Sequence, residues 1–341
     1  MNVTIIGAGN TGIAASCYLS TLGISHLVYT RSEKRAAQWK EFPVKATGAL
    51  TGSFQIQATA NLHDAMVFGN IILICTLATD HEAVIEEIEP ELHAGQSVLF
   101  FNGCWGALKA CRYLARKLEP LHLTVAETAN MPFIASLSED GVEIRIKAIK
   151  EEIAYSAVGE DSTVSTLLHK LAPRVTKVSS PASTSLSATN PIIHVTASLF
   201  NATRIENGED FLFFGEPMTD RVISYMEHCD EERQAVANAL GLQVSPLLDV
   251  LNSFWPDKKD TLAAALKETP SYKTVKGPQS PESRYFSEDL PCGLGAILDL
   301  SDMMHIPCPY IKALVTTASL YLGRPYTPFL TKEDLRTLKK L

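Results

Sequence analysis

The chain has 341 residues, 46% of them hydrophobic and 20% charged, with a formal net charge of −8. That length exceeds what one hydrophobic core usually supports, so two domains are expected of an otherwise ordinary globular composition. The negative charge argues against nucleic acid or an anionic membrane as the main partner. No apolar run approaches the roughly 20 residues that span a bilayer. Seven cysteines are scattered without zinc spacing, so neither disulfides nor a metal site are expected. The opening "MNVTIIGAG" lacks the basic segment and cleavage site of a secretory leader. A cytoplasmic location is expected.

The stretch "VTIIGAGNTGIAASCYLSTLG" carries the most specific signal. A short apolar strand over 3–6 runs into Gly7, Gly9 and Gly12, and an amphipathic helix follows that Gly23 ends. The first glycine permits a tight turn, the second lets the backbone approach a pyrophosphate, and the third lets helix pack on strand. The helix N-terminus then offers free N–H groups and a positive dipole end. A second strand, "HLVYT", stands at the right distance. A dinucleotide site is expected, with Gly7, Gly9, Asn10 and Gly12 at the phosphates.

The end of that second strand should meet the adenosine ribose, where a carboxylate favours NAD and an arginine favours NADP. The sequence reads "YTRSEKR". Thr30, Arg31 and Ser32 stand there, with Lys34 and Arg35 a turn further on and Glu33 the one acid among them. NADP is the expected cofactor, with NAD as second choice.

Strands and helices then alternate. "NIILICT" (70–76), "QSVLFFNG" (96–103) and "LTVAET" (123–128) read as buried strands, each of the first two followed by a helix. This pattern predicts a parallel doubly wound sheet whose ligands sit beyond the carboxyl ends of its strands. Thr76 and Asn102 are therefore candidate cofactor contacts, with Ala78, Gly103, Glu127 and Thr128 nearby. His81 reads as a helix-face residue. "GVEIRIKAIKEEIAYSAV" alternates polar and apolar over 142–146 and is expected to extend the same sheet. "STVSTLLHKLAP" reads as a helix and "RVTKVS" as an edge strand. "SSPASTS" is the natural boundary, giving a dinucleotide-binding Rossmann-type domain over 1–182 and a substrate and catalytic domain over 183–341.

From Asn190 helical periodicity dominates, so the second domain is expected to be all-helical. "NPIIHVTASLFNATRIENG" begins with Asn190 as N-cap and Pro191 at the first helical position, and Gly208 ends it. His194, Ser198 and Asn201 fall on one polar stripe that a core helix does not need. A second long helix runs from a Thr219 N-cap to Gly241, and its acidic "CDEER" reads as a solvated face. Two shorter helices follow, broken at Pro256. A long polar stretch carries Tyr272, Arg284 and Tyr285, which read individually as packing or salt-bridge residues. Two further helices, "GLGAILDLSDMMH" and "YIKALVTTASLYLG", follow.

Taken together, "GAGNTG", "AETANMPF", "NPIIH", "FLFFGEPMTDRV", "DEERQAVANALGL" and "RYFSEDLPCGLGAI" resemble the opine dehydrogenase family, the octopine and nopaline dehydrogenase group. The Asn-Pro-x-x-His and Arg-Tyr-x-x-Glu-Asp-x-Pro-x-Gly boxes are the most diagnostic. The resemblance implies a Rossmann domain joined to an all-helical domain. It also implies an enzyme that uses NADH or NADPH to join an amino acid's amino group to a 2-keto acid such as pyruvate. Carried over, the catalytic histidine falls on His194, its partner on Asp289, and a substrate-carboxylate arginine on Arg284. Asn190 and Ser198 are further candidate substrate contacts. The chemistry fits: imidazole exchanges protons near neutral pH, a carboxylate fixes its tautomer, and a guanidinium grips a carboxylate through two parallel hydrogen bonds. Val195 stands where the family often has proline and Cys292 where it often has an aromatic residue, departures that bear on substrate more than on reaction type.

Two other readings compete. One is a 2-keto-acid reductase of the ketopantoate-reductase kind, and the other is an NADP-binding regulator without turnover. The expected partners are small molecules. The oligomeric state is open, a homodimer being one assembly the sequence allows.

Overall fold

The structure, a computed structural model, describes residues 1–341. The chain divides into two compact units, residues 1–184 and 185–340. The first contains β1 (Asn2–Ile6), α1 (Asn10–Thr21), β2 (Ser25–Tyr29), α2 (Glu33–Glu41), β3 (Val44–Gly48), β4 (Gly52–Phe54), β5 (Ala58–Thr59), α3 (Leu62–Phe68), β6 (Ile71–Ile74) and α4 (His81–Ile88). It continues with β7 (Ser97–Phe100), α5 (Gly106–Tyr113), β8 (Thr124–Thr128), β9 (Phe133–Leu137), β10 (Glu143–Ile149), β11 (Glu152–Val158), α6 (Ser162–Leu171) and β12 (Arg174–Lys177). Helix α7 (Pro181–Leu186) straddles the division.

Eight strands form the main sheet in the order β12-β11-β8-β7-β6-β1-β2-β5. Strands β5, β2, β1, β6, β7 and β8 are mutually parallel. Strands β1, β6, β7 and β8 bury both faces, as parallel strands covered by helices must, while β2 and β5 towards the edge are partly open. Val3 and Ile5 pack with Ile13 and Cys17 of α1 and with Leu167 of α6 in one core layer. Ile6, Ile72 and Ile74 pack with Met66, Val84, Ile85 and Ala110 of α3, α4 and α5 in the other. The alternation along β1 thus feeds two layers, each such side chain contributing about 1.5–3 kcal/mol when fully buried. Strand order reverses between β1 and β6, which makes their carboxyl ends the topological switch point.

One expectation for this unit is corrected. The segment 142–158 does not simply extend the main sheet. Its first part, β10, joins a separate four-stranded sheet ordered β4-β3-β10-β9. Only β11 enters the main sheet, antiparallel to β8 and parallel to β12. The register shift between Ile146 and Ala148 marks where β10 departs from regular pairing with β9. Alternation in a sequence reports two faces but not which neighbour pairs with them.

The second unit is helical, as expected. It comprises α8 (Asn190–Leu199), α9 (Ala202–Glu206), α10 (Asp220–Ala239), α11 (Leu247–Ser253), α12 (Leu262–Glu268), α13 (Arg284–Ser287), a π-helix (Asp289–Gly295), α14 (Ala296–Met304), α15 (Pro309–Tyr321) and α16 (Lys332–Leu338). Helix α10 packs against α8, α14 and α15. No helix of the chain is long and apolar enough to cross a membrane.

Three details differ from expectation. Asn190 is not the N-cap: Thr189 is, in a helical backbone conformation (φ −98°, ψ −14°) and without a side-chain cap bond. The chain is already turning there, with Ala188 N donating to Ser185 O, so the helix begins one residue earlier. The helix also breaks at Asn201 (φ −124°, ψ 24°) instead of running on to Gly208. Finally, "CDEER" is not a solvated face. Cys229, Asp230, Glu232 and Arg233 are buried. Arg233 donates to Asp230 at 2.6 and 2.8 Å and to the Leu186 and Ser245 carbonyls. Glu232 accepts from Tyr310 N and Ile311 N at the start of α15. Charges can be buried when they are paired and fully hydrogen-bonded, which periodicity alone does not reveal.

Candidate active site

In the first unit, the turn after β1 is built by its glycines. Gly7 has φ +112°, and a Cβ there would stand 2.8 Å from the Cys75 carbonyl carbon, at the end of β6. A Cβ on Gly12 would stand 1.8 Å from the Gly7 carbonyl oxygen, whereas one on Gly9 would meet nothing within 4 Å. Gly7 and Gly12 therefore hold the turn closed on itself, and Gly9 leaves open the space its backbone faces. Thr76, across the switch point from Gly7, has a buried hydroxyl oxygen without a hydrogen-bond partner. An open cradle at a helix N-terminus with an orphaned hydroxyl beside it is the chemistry a pyrophosphate needs. The residues present fit a dinucleotide.

The surroundings assign roles to the other candidates. Asn10 spends its Oδ1 accepting from Leu137 N at 2.8 Å, tying β9 to the start of α1. Ser32 caps α2 by accepting from Arg35 N, and the Thr30 hydroxyl accepts from Ser32 N at 3.3 Å. Arg35 is committed elsewhere: its guanidinium donates to the Asp140 and Glu139 carbonyls at the tip between β9 and β10. Arg31 is exposed just past the end of β2 and makes no ion pair.

Beyond β7 the loop is unusual. Asn102, Cys104 and Trp105 have φ values of +55°, +38° and +71°. Non-glycine residues seldom adopt such angles, and they cluster at functional sites. Asn102 N donates to the Thr128 hydroxyl at 3.0 Å and Gly103 N to the Thr128 carbonyl at 2.9 Å, fixing the loop to β8. Glu127, fully buried, accepts from Ala107 N at 2.9 Å and from the Thr184 hydroxyl at 2.5 Å. His81 is inside the protein and not on an open helix face. It is 2% exposed, its ring lies 4.8 Å from Phe100, and burial pushes its imidazole down to about 4.

In the second unit, His194 lies in the second turn of α8 and Asp289 at the start of the π-helix. Nδ1 of His194 stands 2.7 Å from Oδ2 of Asp289, with both residues buried. The two are 95 residues apart. Their meeting depends on Gly293, whose Cβ would stand 2.3 Å from the Pro191 ring. The π-helix thus packs onto the first turn of α8 at a distance only glycine allows. π-Turns of this kind recur at functional sites. Nε2 of His194 has no hydrogen-bond partner and is not among the fully enclosed atoms, so it is the nitrogen available to chemistry.

Tyr285 stacks on the imidazole at 4.1 Å and 23°, and Phe213 meets its edge at 5.9 Å. Sequence reasoning placed Tyr285 among packing residues. Its position inside the "RYFSED" box was the one available signal. Arg284 is about half exposed, and its guanidinium lies 3.5 Å from Glu288 and 5.9 Å from the Tyr285 ring centre. Glu288 is buried and was also missed. Ser198, one turn after His194, is fully enclosed with an unpartnered hydroxyl. Asn190 is half-buried in the first turn of α8.

A doubly wound sheet with a dinucleotide cradle, followed by a helical unit holding a His–Asp pair, defines a nicotinamide-dependent oxidoreductase. Comparison with known proteins narrows the class. Residues 177–322 match the family model for the alpha-helical domain of NAD/NADP octopine/nopaline dehydrogenase. Residues 3–130 match that of ketopantoate reductase PanE/ApbA. An opine dehydrogenase from Arthrobacter sp. (strain 1C) is 25% identical over 342 residues, covering 99% of this chain and 94% of its own. The structure of octopine dehydrogenase in complex with NADH and agmatine aligns with a TM-score of 0.80 at 15% identity, over 99% of this chain and 94% of that one. Yersinopine dehydrogenase with NADP+ bound aligns at 0.77 and 16%, over 100% and 98%. The chain is similar to opine dehydrogenases along its length, with the family match in its helical half, and it is an NAD(P)-dependent oxidoreductase.

Two outcomes follow from this geometry. Gly9→Ala should fold normally yet weaken NADPH binding, while Gly12→Ala should lower the melting temperature as well. Calorimetry and fluorescence titration read both, and equal melting for the two variants would refute the assigned roles. Asp289→Asn should keep cofactor affinity but lower kcat by about 10²–10⁴-fold, the scale seen when an orienting carboxylate or an acid–base group is lost. A fall in NADPH affinity instead would make Asp289 a structural residue.

Proposed function

We propose that the protein condenses the amino group of an amino acid with a 2-keto acid, pyruvate being the default, and reduces the product with NADPH. The His194–Asp289 pair at 2.7 Å carries this reading. Residues 1–182 form the dinucleotide-binding domain and 183–341 the substrate and catalytic domain. Gly7, Gly9, Asn10, Gly12, Thr30, Arg31, Ser32, Thr76 and Asn102 hold the cofactor, directly or by shaping its cradle.

The reaction consumes amine, keto acid, NADPH and a proton. It yields a secondary amine, NADP+ and water. The bound nicotinamide supplies the hydride that saturates the imine carbon. The protein's part is proton handling and placement. Asp289 accepts from Nδ1–H of His194 and fixes the tautomer, leaving Nε2 to take a proton as the amine attacks and to return one as the carbinolamine loses water. Arg284 grips a substrate carboxylate through two parallel hydrogen bonds. Asn190, on the same helix as the imidazole, adds a substrate contact, whereas Ser198, expected from the sequence to do the same, is fully enclosed and acts only through the packing of the helix. The octopine dehydrogenase structure that holds agmatine beside NADH supports an amine as co-substrate.

NADP is favoured because Arg31 stands exposed just past the end of β2 with no carboxylate at that strand end. The yersinopine dehydrogenase structure with NADP+ shows a similar fold accepting that cofactor. A cytoplasmic homodimer is the setting we carry forward, and sedimentation of the pure protein tests the assembly.

A second reading is a reductase that makes a 2-hydroxy acid without an amine. The match of residues 3–130 to ketopantoate reductase favours it, but that match lies in the dinucleotide half, while the helical half matches octopine/nopaline dehydrogenase. NADPH oxidation with pyruvate should require an added amino acid. Equal oxidation with pyruvate alone would decide for the second reading, and none with any keto acid or amine would decide for a regulator. Arg31→Asp should weaken NADPH about 10- to 100-fold, the range of a lost charged hydrogen bond, and NADH less than threefold. Parallel losses in titrations of both cofactors would remove the 2′-phosphate assignment.

A further inference from the structure

An unbroken row of aromatic rings leads away from His194 in the second unit. Tyr285 stacks on the imidazole at 4.1 Å and Phe213 lies 5.0 Å from Tyr285. Phe214 follows at 5.1 Å from Phe213, and Tyr272 stacks on Phe214 at 4.6 Å and 19°. Trp255 closes the row 6.0 Å from Tyr272, its indole N–H donating to the Tyr272 hydroxyl at 3.4 Å. The middle of the row is sealed, Phe213 and Phe214 being 0% and 8% exposed, whereas Tyr285, Tyr272 and Trp255 on either side are partly exposed. A row buried at its middle and partly open on both sides can act as a wall.

The wall is held in place by backbone pairing. Phe213 N donates to Val275 O and Gly277 N to Phe211 O, and Leu212 bridges Lys276. This short ladder anchors the long polar stretch after α12, which sets Tyr272 against Phe214. Such a stretch in a compact domain is commonly functional. Three of the acids carried by the same segments already have lysine partners. Asp210 pairs with Lys276, and Asp257 and Glu268 pair with Lys259, while Asp260 is exposed.

We infer that this row receives the side chain of the amine substrate, and that the amino acid taken is one with a large apolar or aromatic side chain. The inference rests on the opine reading of the His194 site and names its substrate class. Aromatic faces attract apolar groups and stack on rings, and they also attract cations. A cationic side chain, however, needs a carboxylate to match its charge on burial, and here Asp210 is taken by Lys276, Asp257 and Glu268 share Lys259, and Asp260 faces solvent.

The test is a panel of amino acids with pyruvate and NADPH, using the intact enzyme. Leucine, methionine and phenylalanine should show kcat/KM at least tenfold above arginine, lysine and glutamate. Tyr272→Ala and Trp255→Ala should raise the KM for phenylalanine about tenfold, with the conservative Tyr272→Leu and Trp255→Phe nearer wild type. Melting curves for all four variants separate this from misfolding. A preference for arginine or lysine would overturn the inference, as would folded alanine variants that keep the wild-type ranking. Pyruvate reduction indifferent to every amine is a different result: it removes the opine reading itself, and this inference with it.

Discussion

The catalytic arrangement depends on one close approach. Gly293 brings the π-helix against Pro191 at a distance that excludes any Cβ. That contact sets the spacing between the π-helix and the first turn of α8, and the spacing places Asp289 at hydrogen-bonding distance from His194. The bond is formed where both groups are buried, so leaving either one unpaired would be costly. The same burial makes it directional. With Nδ1 engaged and Tyr285 covering one ring face, the imidazole has few orientations left. An acid–base group whose orientation is fixed before substrate arrives loses little freedom at the reactive step.

The dinucleotide cradle obeys a related rule with different means. Gly7 and Gly12 are packed so closely that neither tolerates a side chain, and Gly9 is open. Two glycines act on the fold and one leaves open space before it. The second sheet supports this arrangement. Asn10 reaches Leu137 in β9, and Arg35 and Trp39 in α2 donate to carbonyls of residues 139–141 at the tip between β9 and β10. The consequence is electrostatic as well as structural. Of the two arginines near the end of β2, Arg35 is consumed by the hairpin tip and Arg31 stays exposed.

The glycine cradle, the parallel strands and the His194 helix were legible because their signals are local. A tight turn, a run of apolar residues or a proline in a first helical turn is written within a few positions. The small sheet was illegible because β3 pairs with β10 some hundred residues away, and nothing in either segment names the other. The buried "CDEER" was misread for the same reason in another form. Periodicity assigns charges to solvent, but Arg233 finds its neutralising Asp230 one turn away and its carbonyls on remote segments. Tyr285 and Glu288 were visible as members of a box; the stacking of Tyr285 on His194 exists only in three dimensions, whereas the Arg284–Glu288 pair is a local i,i+4 contact that the spacing already held. His194 and Asp289 were joined through family resemblance, since 95 residues separate them.

The two ends of the amine substrate call for different physics, and the second unit offers both. Arg284 presents an accessible charge, steadied by the buried Glu288 at 3.5 Å, so a substrate carboxylate can be recognised by geometry and charge without stripping all water from the guanidinium. The aromatic row works by removing water from apolar surface, which is non-directional and grows with area. Under the proposed function, charge would fix where the α-carbon sits and area would select what hangs from it. In such a division the charged contact is common to all amino acids and discriminates little among them. Discrimination would then fall to Tyr272 and Trp255, the members of the row farthest from the imidazole, where a change of ring would alter the fit of a side chain without touching the His194–Asp289 pair.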